Sequence, residues 1–246
     1  MEMVWGRGYM SAGGDAEVKR IVAGLDLRGR RVLDLGCGIG GASVALARDN
    51  GASFVVGADI DDGVLQRAQA LVNEAGLTDS VSLERIEPGA LPYDKARFDV
   101  VYLNAVSCHL QNLVEFFTDI KRVLRPEGSL RGSDWFKLAD NAAFHEWDGL
   151  LRERGLNFWF VTHEHLENAL HEAGFENIAF VDRTAAVAEV ASDGMQRVQG
   201  ELRAQLEQQL GAAGYAEFVD WTRARMNSLL HGGMAHGHFH ASKSQA

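Results

Sequence analysis

The chain has 246 residues, 46% of them hydrophobic, which is enough to bury one large core in a single domain. Its formal net charge is -10 at pH 7, and no basic face is visible that would hold nucleic acid or anionic lipid. No apolar stretch approaches the roughly 18 residues that a membrane span needs, and no leader pattern follows Glu2. With two cysteines, Cys37 and Cys108, the sequence predicts a reduced, cytoplasmic setting without nucleic acid or membrane partners.

Short apolar runs of strand length alternate with stretches of helical spacing along most of the chain. The predicted strands are, in chain order, 32–35, 53–59, 81–86, 98–103, 129–134, 178–181 and 237–242. Helices are predicted over 42–47, from the capping residues Asp61 and Asp62 to about 72, and over 113–124, 141–152 and 163–173. This alternation predicts an α/β fold with a doubly wound, seven-stranded, mostly parallel sheet. Such sheets bind ligands at the carboxyl ends of their strands.

The segment 195–230 breaks the alternation of strands and helices. Hydrophobic residues repeat there every four positions, at Val198, Leu202, Leu206 and Leu210. We interpret this segment as a helical excursion before the last strand, which either caps the site or packs against the edge of the sheet.

A glycine-rich turn joins the first predicted strand to its helix, with glycines at Gly36, Gly38 and Gly40. This G-x-G-x-G spacing is tighter than the G-x-G-x-x-G of dinucleotide sites, where a helix N-terminus receives a pyrophosphate. Asp34 ends the strand before the turn. Its carboxylate would repel a pyrophosphate but suits the ammonium group of a cofactor that carries an amino acid. Because glycine has no side chain, the backbone of the turn can lie flat against such a cofactor.

Two further acids follow the next two predicted strands. Asp59 ends the second strand, where an acid can accept hydrogen bonds from ribose hydroxyls. Glu87 follows the third strand, within reach of an exocyclic amine on adenine. Together with Asp34 they predict one carboxylate rim around a nucleoside cofactor. Taken singly, each acid also has a structural explanation as a helix cap, a turn residue or a solvated side chain. A nicotinamide dehydrogenase is a distant alternative that the glycine spacing and Asp34 oppose.

Class I S-adenosylmethionine-dependent methyltransferases have a signature turn that is similar to Val32-Leu33-Asp34-Leu35-Gly36-Cys37-Gly38-Ile39-Gly40, and Asp59 stands at their ribose acid. Over most of its length, the chain more weakly resembles the phosphoethanolamine N-methyltransferases. The opening 5–14 is similar to the segment that this family folds over its cofactor and acceptor, His109 stands at its active-site histidine, and 231–243 is similar to its final strand. The resemblance implies S-adenosylmethionine as cofactor, S-adenosylhomocysteine as product, and a small-molecule acceptor methylated on nitrogen.

The predicted cofactor site combines the rim, the glycine turn and the opening segment. Its residues are Asp34, Gly36, Gly38, Gly40, Asp59, Ile60, Glu87, Asn104, Tyr9 and Ser11. The single domain then has three parts: an N-terminal lid and helix over 1–30, a cofactor-binding core over 31–135, and an acceptor-side half over 136–246 that includes the excursion.

The chain departs from the family mainly where the family binds its acceptor. Asn104-Ala105 replaces an Arg-Asp pair ahead of the histidine, and Trp135 replaces a tyrosine. Residues 156–160 read Leu-Asn-Phe-Trp-Phe where the family gathers tyrosines and an arginine around a phosphate. Glu87 stands where an aspartate is usual. These differences imply an acceptor in the same place with a different head group.

Methyl transfer is an in-line displacement, so the enzyme mainly aligns two reactants and manages a proton. His109 is the predicted catalytic residue because a nearly neutral imidazole suits proton transfer; the alternative is a histidine that supports the following helix. The predicted acceptor-binding residues are Trp5, Tyr9, His109, Trp135 and Phe158. Their rings could enclose an amine by cation–π attraction or stack on a flat heterocycle.

Three functions remain open on the sequence alone. The first is N-methylation of a small molecule, the second is methylation of a planar heteroaromatic or phenolic metabolite, and the third is cofactor binding without catalysis. His236, His238 and His240 share one face of the last strand, but they spread over about 13 Å, so we predict no metal site. The sequence does not choose between a monomer and a homodimer.

Overall fold

The computed structural model describes residues 2–11 and 13–245, without the side chains of Met3 and Val4. Ala12, inside the predicted opening segment, lies outside the described residues. In this part of the chain the strands are β1 Arg31–Leu35, β2 Phe54–Asp59, β3 Val81–Arg85, β4 Phe98–Asn104, β5 Leu124–Lys137, β6 Glu176–Asp182 and β7 Met234–Ser242. They form a seven-stranded sheet in the order β3-β2-β1-β4-β5-β7-β6. Neighbours from β3 to β5 are parallel, and β7 is antiparallel to both β5 and β6. The predicted doubly wound, mostly parallel sheet is confirmed.

Helices cover both faces of the sheet. They are α1 Glu2–Trp5, α2 Gly14–Ile21, α3 Gly41–Arg48, α4 Asp62–Glu74, α5 Leu113–Val123, α6 Ala142–Glu153, α7 His163–Glu172, α8 Thr184–Gln199 and α9 Arg203–Leu230. Several begin at side-chain caps that bind the exposed N–H groups of the first turn. The predicted cap Asp61 accepts from the backbone N–H of Val64 at 3.0 Å, and Asn112 and Thr162 act in the same way on α5 and α7.

The excursion between β6 and β7 is longer than the sequence predicts. It begins with α8 at Thr184 and not at 195. The sequence did not predict this start because the first half of α8 buries mainly small residues such as Ala188 and Ala191, whose hydrophobic periodicity is weak. Helix α9 contains Gly211 at φ 73°, ψ 168°, so it consists of two helical segments. Helices α8 and α9 pack against each other and against β7.

Strand β5 extends beyond the predicted 129–134 in both directions. Phe98 pairs with Leu124 and Val100 with Ser129, so the residues between them bulge out and the pairing then resumes. At the other end, Lys137 pairs with Met234, because the antiparallel β7 supplies hydrogen-bond partners to β5 from Ser129 to Lys137.

The sheet buries a hydrophobic cluster on each face. Alternate residues of the continuous apolar strand β4 serve the two clusters, Tyr102 one and Val101 the other. The Tyr102 side is covered by α2, α3, α8 and α9 and contains Trp5, Tyr9 and Trp135. The other side is covered by α5 and α7. Within the residues that the model describes, no helix combines the length and apolarity of a bilayer span.

Candidate active site

The glycine turn is tied to the carboxyl end of β2. The N–H groups of Gly36 and Cys37 donate to the carbonyl of Ala58 at 2.8 and 3.0 Å. Gly36, Gly38 and Gly40 all have positive φ, which favours glycine. A Cβ on Gly36 would lie 2.5 Å from a methyl group of Val106, so this position leaves no room for a side chain.

Asp59 is held rigidly beside this turn. Its Oδ2 accepts from the N–H of Gly38 at 2.8 Å, and its Oδ1 accepts from the N–H groups of Ile60 and Asp61 at 2.8 and 3.1 Å. An ionised carboxylate can accept about four hydrogen bonds, so Asp59 has capacity left for a ligand. The side chain of Ile60 is 54% exposed next to it and offers an apolar surface at the same place. The structure therefore brings together the predicted ribose acid, its apolar neighbour and the glycines.

Asp34 lies beneath the turn and not on its open side. The side chain is only 1% exposed, and the Ser43 hydroxyl of α3 donates to its Oδ2 at 2.5 Å. Burial raises the pKa of Asp34 to about 7, and the negative charge of Asp59 adds to this shift. The predicted contact between Asp34 and the cofactor ammonium remains a prediction.

The raised pKa of Asp34 makes stability depend on pH. Below pH 7 the folded state holds a proton that the unfolded state releases near pH 4, so the contribution of Asp34 to stability falls as pH rises through this range. We expect wild type to lose about 3 kcal/mol relative to Asp34→Asn between pH 5 and pH 8. Urea unfolding of both proteins at the two pH values measures this difference. A difference that stays constant with pH would contradict the assignment.

Glu87 is exposed and forms an ion pair with Arg85, which also contacts Asp62 at 3.3 Å. Nothing in the described residues ties Glu87 to the glycine turn. Asn104 ends β4, and its Oδ1 accepts from the Ser133 hydroxyl at 2.8 Å. Both residues stay predicted members of the cofactor site.

The opening segment lies directly on the glycine turn. The N–H of Gly41 donates to the carbonyl of Gly8 at 3.0 Å, and a Cβ added to Gly38 would lie 2.9 Å from the terminal methyl of Met10. Tyr9 is 6% exposed, packs against Gly41 and donates from its hydroxyl to Asp15 Oδ1 at 2.6 Å. Tyr9 therefore anchors the segment. Ser11, also predicted to bind cofactor, is half-buried in the same segment.

His109 ends a single 3-10 turn, Ser107–His109, that follows β4. The buried carboxylate of Asp134 holds this turn: its Oδ2 accepts from the N–H groups of Ser107 and Cys108 at 2.7 and 3.3 Å and from the Ser107 hydroxyl. Its Oδ1 accepts from the N–H of Trp135 at 2.8 Å. Asp134 thus fixes His109 relative to the end of β5.

The ring of His109 packs on Phe158, with centroids 4.3 Å apart. The loop that contains Phe158 is fixed by the N–H of Trp159, which donates to the carbonyl of Cys108 at 2.7 Å. Phe158 stacks in turn on Phe160, with ring centroids 5.1 Å apart and an angle of 8° between the ring planes. Partial burial lowers the pKa of His109, although the charges of Asp134 and Asp59 act in the opposite direction. The imidazole is therefore neutral at pH 7.

Two buried polar residues that sequence reasoning missed lie on the same side of the sheet. The Arg225 side chain, on α9, is only 6% exposed, and its guanidinium lies 4.5 Å from the ring centroid of Trp5 and 5.2 Å from that of Trp221. Its Nε has no hydrogen-bond partner, and no carboxylate of the described residues forms an ion pair with it. Burial lowers the pKa of Arg225 to about 10. The second residue is His236, whose ring lies edge-on to Trp135 with centroids 4.8 Å apart.

The sequence showed His236 only as one of three alternating histidines of the last strand, and it gave no signal for Arg225. Arg225 follows Trp221 by four residues on a helix, which resembles an ordinary amphipathic spacing, and only the packing of α9 onto the sheet buries it. Across the described ranges 2–11 and 13–245, no three His, Cys, Asp or Glu side chains converge as metal ligands would.

The fold and this site define a class of protein. The sheet order, the glycine turn and the acid after β2 are those of the Rossmann-like methyltransferase fold. A family model described as methyltransferase domain matches residues 9–179, so the chain belongs to the methyltransferase domain family. The predicted membership in this family is confirmed.

Similar proteins support the predicted resemblance. A phosphoethanolamine N-methyltransferase from Triticum aestivum is 30% identical over 220 residues, covering 89% of this chain and 42% of that protein. The chain thus spans less than half the length of this curated relative. Phosphoethanolamine N-methyltransferase 2 from Haemonchus contortus, solved with phosphomonomethylethanolamine and S-adenosylhomocysteine, superposes with a TM-score of 0.89 at 21% identity, covering 99% of this chain and 56% of that one.

The fold is also shared with enzymes of other chemistry. A cyclopropane synthase from Mycobacterium tuberculosis superposes with a TM-score of 0.80 at 16% identity, covering 93% of this chain and 83% of that one. Likeness at this level of identity shows the fold alone, so the atom that receives the methyl group has to be argued from this chain's own site.

Proposed function

We propose that this protein transfers a methyl group from S-adenosylmethionine to the nitrogen of a small amine that also has an anionic group. The observation behind the anionic group is the buried Arg225, which no carboxylate of the described residues neutralises. A buried guanidinium is costly unless something pairs with it, and a bound anion would do so. The names of the N-methyltransferase relatives support an amine.

The residues at the glycine turn fit S-adenosylmethionine. Asp59 would accept from the ribose hydroxyls, the glycines leave space for a ligand against the backbone, and Ile60 would cover one face of adenine. When bound, this cofactor supplies an electrophilic methyl group on a positively charged sulfur. Asp59 places negative charge beside the site, and Asp34 adds to it once it is ionised above pH 7, which favours a cationic ligand.

The proposed acceptor side combines His109 and Arg225 with the aromatic residues that contact each of them. Phe158 and Trp5 belong to the same hydrophobic cluster, and they contact His109 and Arg225 respectively. Arg225 would hold the anionic end of the acceptor, and the aromatic rings exclude water. His109, neutral and positioned by Asp134, would take a proton from the ammonium group so that the nitrogen lone pair becomes available.

The donor half of the proposal predicts the behaviour of Asp59→Ala. Loss of the ribose contacts should weaken S-adenosylhomocysteine binding about 100-fold, since each charge-assisted hydrogen bond contributes about 1.5–3 kcal/mol. Thermal shift measures this, because a ligand at 100 times its Kd stabilises by about 2.7 kcal/mol. The matched control is Asp62→Ala, an exposed acid of α4, which should keep the wild-type shift. NAD should give no shift with any variant. If S-adenosylhomocysteine did not raise the Tm of wild type, the proposed cofactor would be wrong.

The acceptor half is tested by methyl transfer from tritiated S-adenosylmethionine. The panel pairs each anionic amine with a neutral one: phosphoethanolamine and phosphomonomethylethanolamine against ethanolamine, and glycine against its amide. A phenol and a planar heteroaromatic amine represent the alternative acceptors. We expect labelling of an anionic amine. Labelling confined to the phenol or the heteroaromatic compound would contradict the proposal.

The setting and organisation of the protein complete the proposal. Cys37 and Cys108 are buried and free, which supports a reducing, cytoplasmic compartment. Residues 1–30 would act as lid and helix, 31–135 as cofactor-binding core and 136–246 as the acceptor-side half. The net charge of -10 supports a protein that acts on a small molecule without nucleic acid. We propose that it acts as a monomer or homodimer.

A further inference from the structure

His236 is buried in β7 with no hydrogen-bond partner for either ring nitrogen. The residue is only 1% exposed, and neither Nδ1 nor Nε2 has a hydrogen-bond partner among the described residues. Its backbone, in contrast, is fully engaged: the N–H donates to Thr184 Oγ1 at 3.1 Å, and the carbonyl accepts from the N–H of Arg183 at 2.8 Å. The start of α8 therefore fixes the backbone that carries the ring.

The ring lies near the carboxyl ends of the parallel strands, where the candidate active site is. His236 pairs with Trp135 in the antiparallel register of β5 and β7, so the first residues of β7 stand beside the carboxyl end of β5. The same end of β5 contains Asp134, which positions the turn with His109. The imidazole and the Trp135 ring meet at 75° on the side of the sheet that α8 and α9 cover.

The missing partners are particular to this histidine. His238, the next residue on the same face, binds Glu17 through Nε2 at 2.5 Å. His240, two residues further, is only half-buried, so water can satisfy it. A neutral imidazole has one N–H donor and one acceptor nitrogen, and folded proteins rarely bury both without partners. A ligand that completes the site would supply them.

We propose that His236 binds the methyl acceptor, donating a ring N–H to an oxygen atom of the small amine, and so helps to select which amine is methylated. The inference rests on the proposed function and deepens it. Trp135 would pack against the carbon part of the same molecule, because its ring lies against that of His236. Arg225 and His236 would then supply a charged and a neutral donor to the oxygen-bearing end of the acceptor.

The test uses three variants with phosphoethanolamine and phosphomonomethylethanolamine as probes. His236→Phe keeps a ring of similar size against Trp135 but removes both nitrogens, whereas His236→Gln keeps a donor and an acceptor. His240→Phe, on the same face of the same strand, is the matched control. We expect His236→Phe to raise at least tenfold the KM for whichever probe the wild-type protein methylates, with little change in kcat. His236→Gln should recover part of this loss, and His240→Phe should behave as wild type. An unchanged KM in a folded His236→Phe would overturn the proposal.

A second measurement does not depend on turnover. Protein with 13C-labelled histidine gives a ring C–H resonance for His236, identified by its absence in His236→Phe. Titration with each probe, in the presence of S-adenosylhomocysteine, should shift this resonance. A resonance that neither probe moves would overturn the assignment. If the resonance shifts but no probe is methylated, the proposed reaction is wrong and the role of His236 in binding stands. If a probe is methylated but neither moves the resonance nor has a higher KM in His236→Phe, the role of His236 is wrong and the proposed reaction stands.

Discussion

His109→Ala is expected to lower kcat by about 10²–10⁴-fold, the usual contribution of a general acid or base. The affinity for S-adenosylhomocysteine should stay unchanged, because the contacts that hold the glycine turn come from β2 and the segment of Gly8 to Met10. Steady-state kinetics with the best amine of the panel and thermal shift with S-adenosylhomocysteine measure the two quantities separately.

The role of His109 as a base also predicts the direction in which kcat/KM changes with pH. His109 acts as a base only when neutral, and burial lowers its pKa, so kcat/KM of wild type should rise with pH to a plateau, with the midpoint of the rise below pH 6.5. The rising limb should disappear in His109→Ala. His165→Ala, which removes an exposed histidine of α7, should leave both rate and profile unchanged. Equal turnover in His109→Ala and wild type would remove His109 from the chemistry and leave it as a support for the Phe158 loop.

Arg225→Met is expected to change stability and activity in opposite directions. Methionine fills a similar space without the charge, so the free energy of unfolding should rise by roughly 1–3 kcal/mol, after the loss of cation–π contacts with Trp5 and Trp221 is allowed for. At the same time, kcat/KM for an anionic amine should fall about 100-fold, because a charge-assisted hydrogen bond is lost. Urea unfolding and steady-state kinetics on the same preparation measure both effects.

The matched control is Arg223→Met, which removes an exposed arginine that pairs with Asp220 at 2.8 Å on the same helix. It should change stability and activity little, since exposed ion pairs contribute about 0–1 kcal/mol. Arg225→Lys should keep more activity than Arg225→Met, because the charge remains although the planar fork is lost. If Arg225→Met lost stability and kept kcat/KM for every anionic amine, Arg225 would be a structural cation and the acceptor would need no anionic group.

The donor side of the site was predictable because its determinants are local. Gly36 and Gly40 need positive φ and have no room for a Cβ, and these constraints act on a few adjacent residues. Asp59 follows a strand whose length and burial are visible as an apolar run. Even there, sequence could not show that Asp34 is buried under Ser43, or that Glu87 forms a surface pair with Arg85, since both depend on side-chain packing.

The acceptor side was less predictable because distant elements build it. Trp5 was predicted as a wall of the site, but its contact with Arg225 joins residues at opposite ends of the chain. The partnerless ring of His236 depends on the antiparallel pairing of β7 and on the early start of α8, and neither is visible in the hydrophobic pattern. The hydroxyl of Tyr9 binds Asp15 and its ring packs on Gly41, contacts that sequence did not show; its predicted contacts with both reactants stay a prediction.

The segment over the glycine turn limits which face of the turn a ligand can reach. Gly8 and Gly41 approach so closely that a Cβ on Gly41 would lie 2.4 Å from the Gly8 carbonyl, so no ligand fits between them. One backbone hydrogen bond at 3.0 Å joins the segment to the turn, but the buried rings of Trp5 and Tyr9 also attach it to the hydrophobic cluster on this side of the sheet. Uncovering this face of the turn would therefore cost the burial of two aromatic side chains.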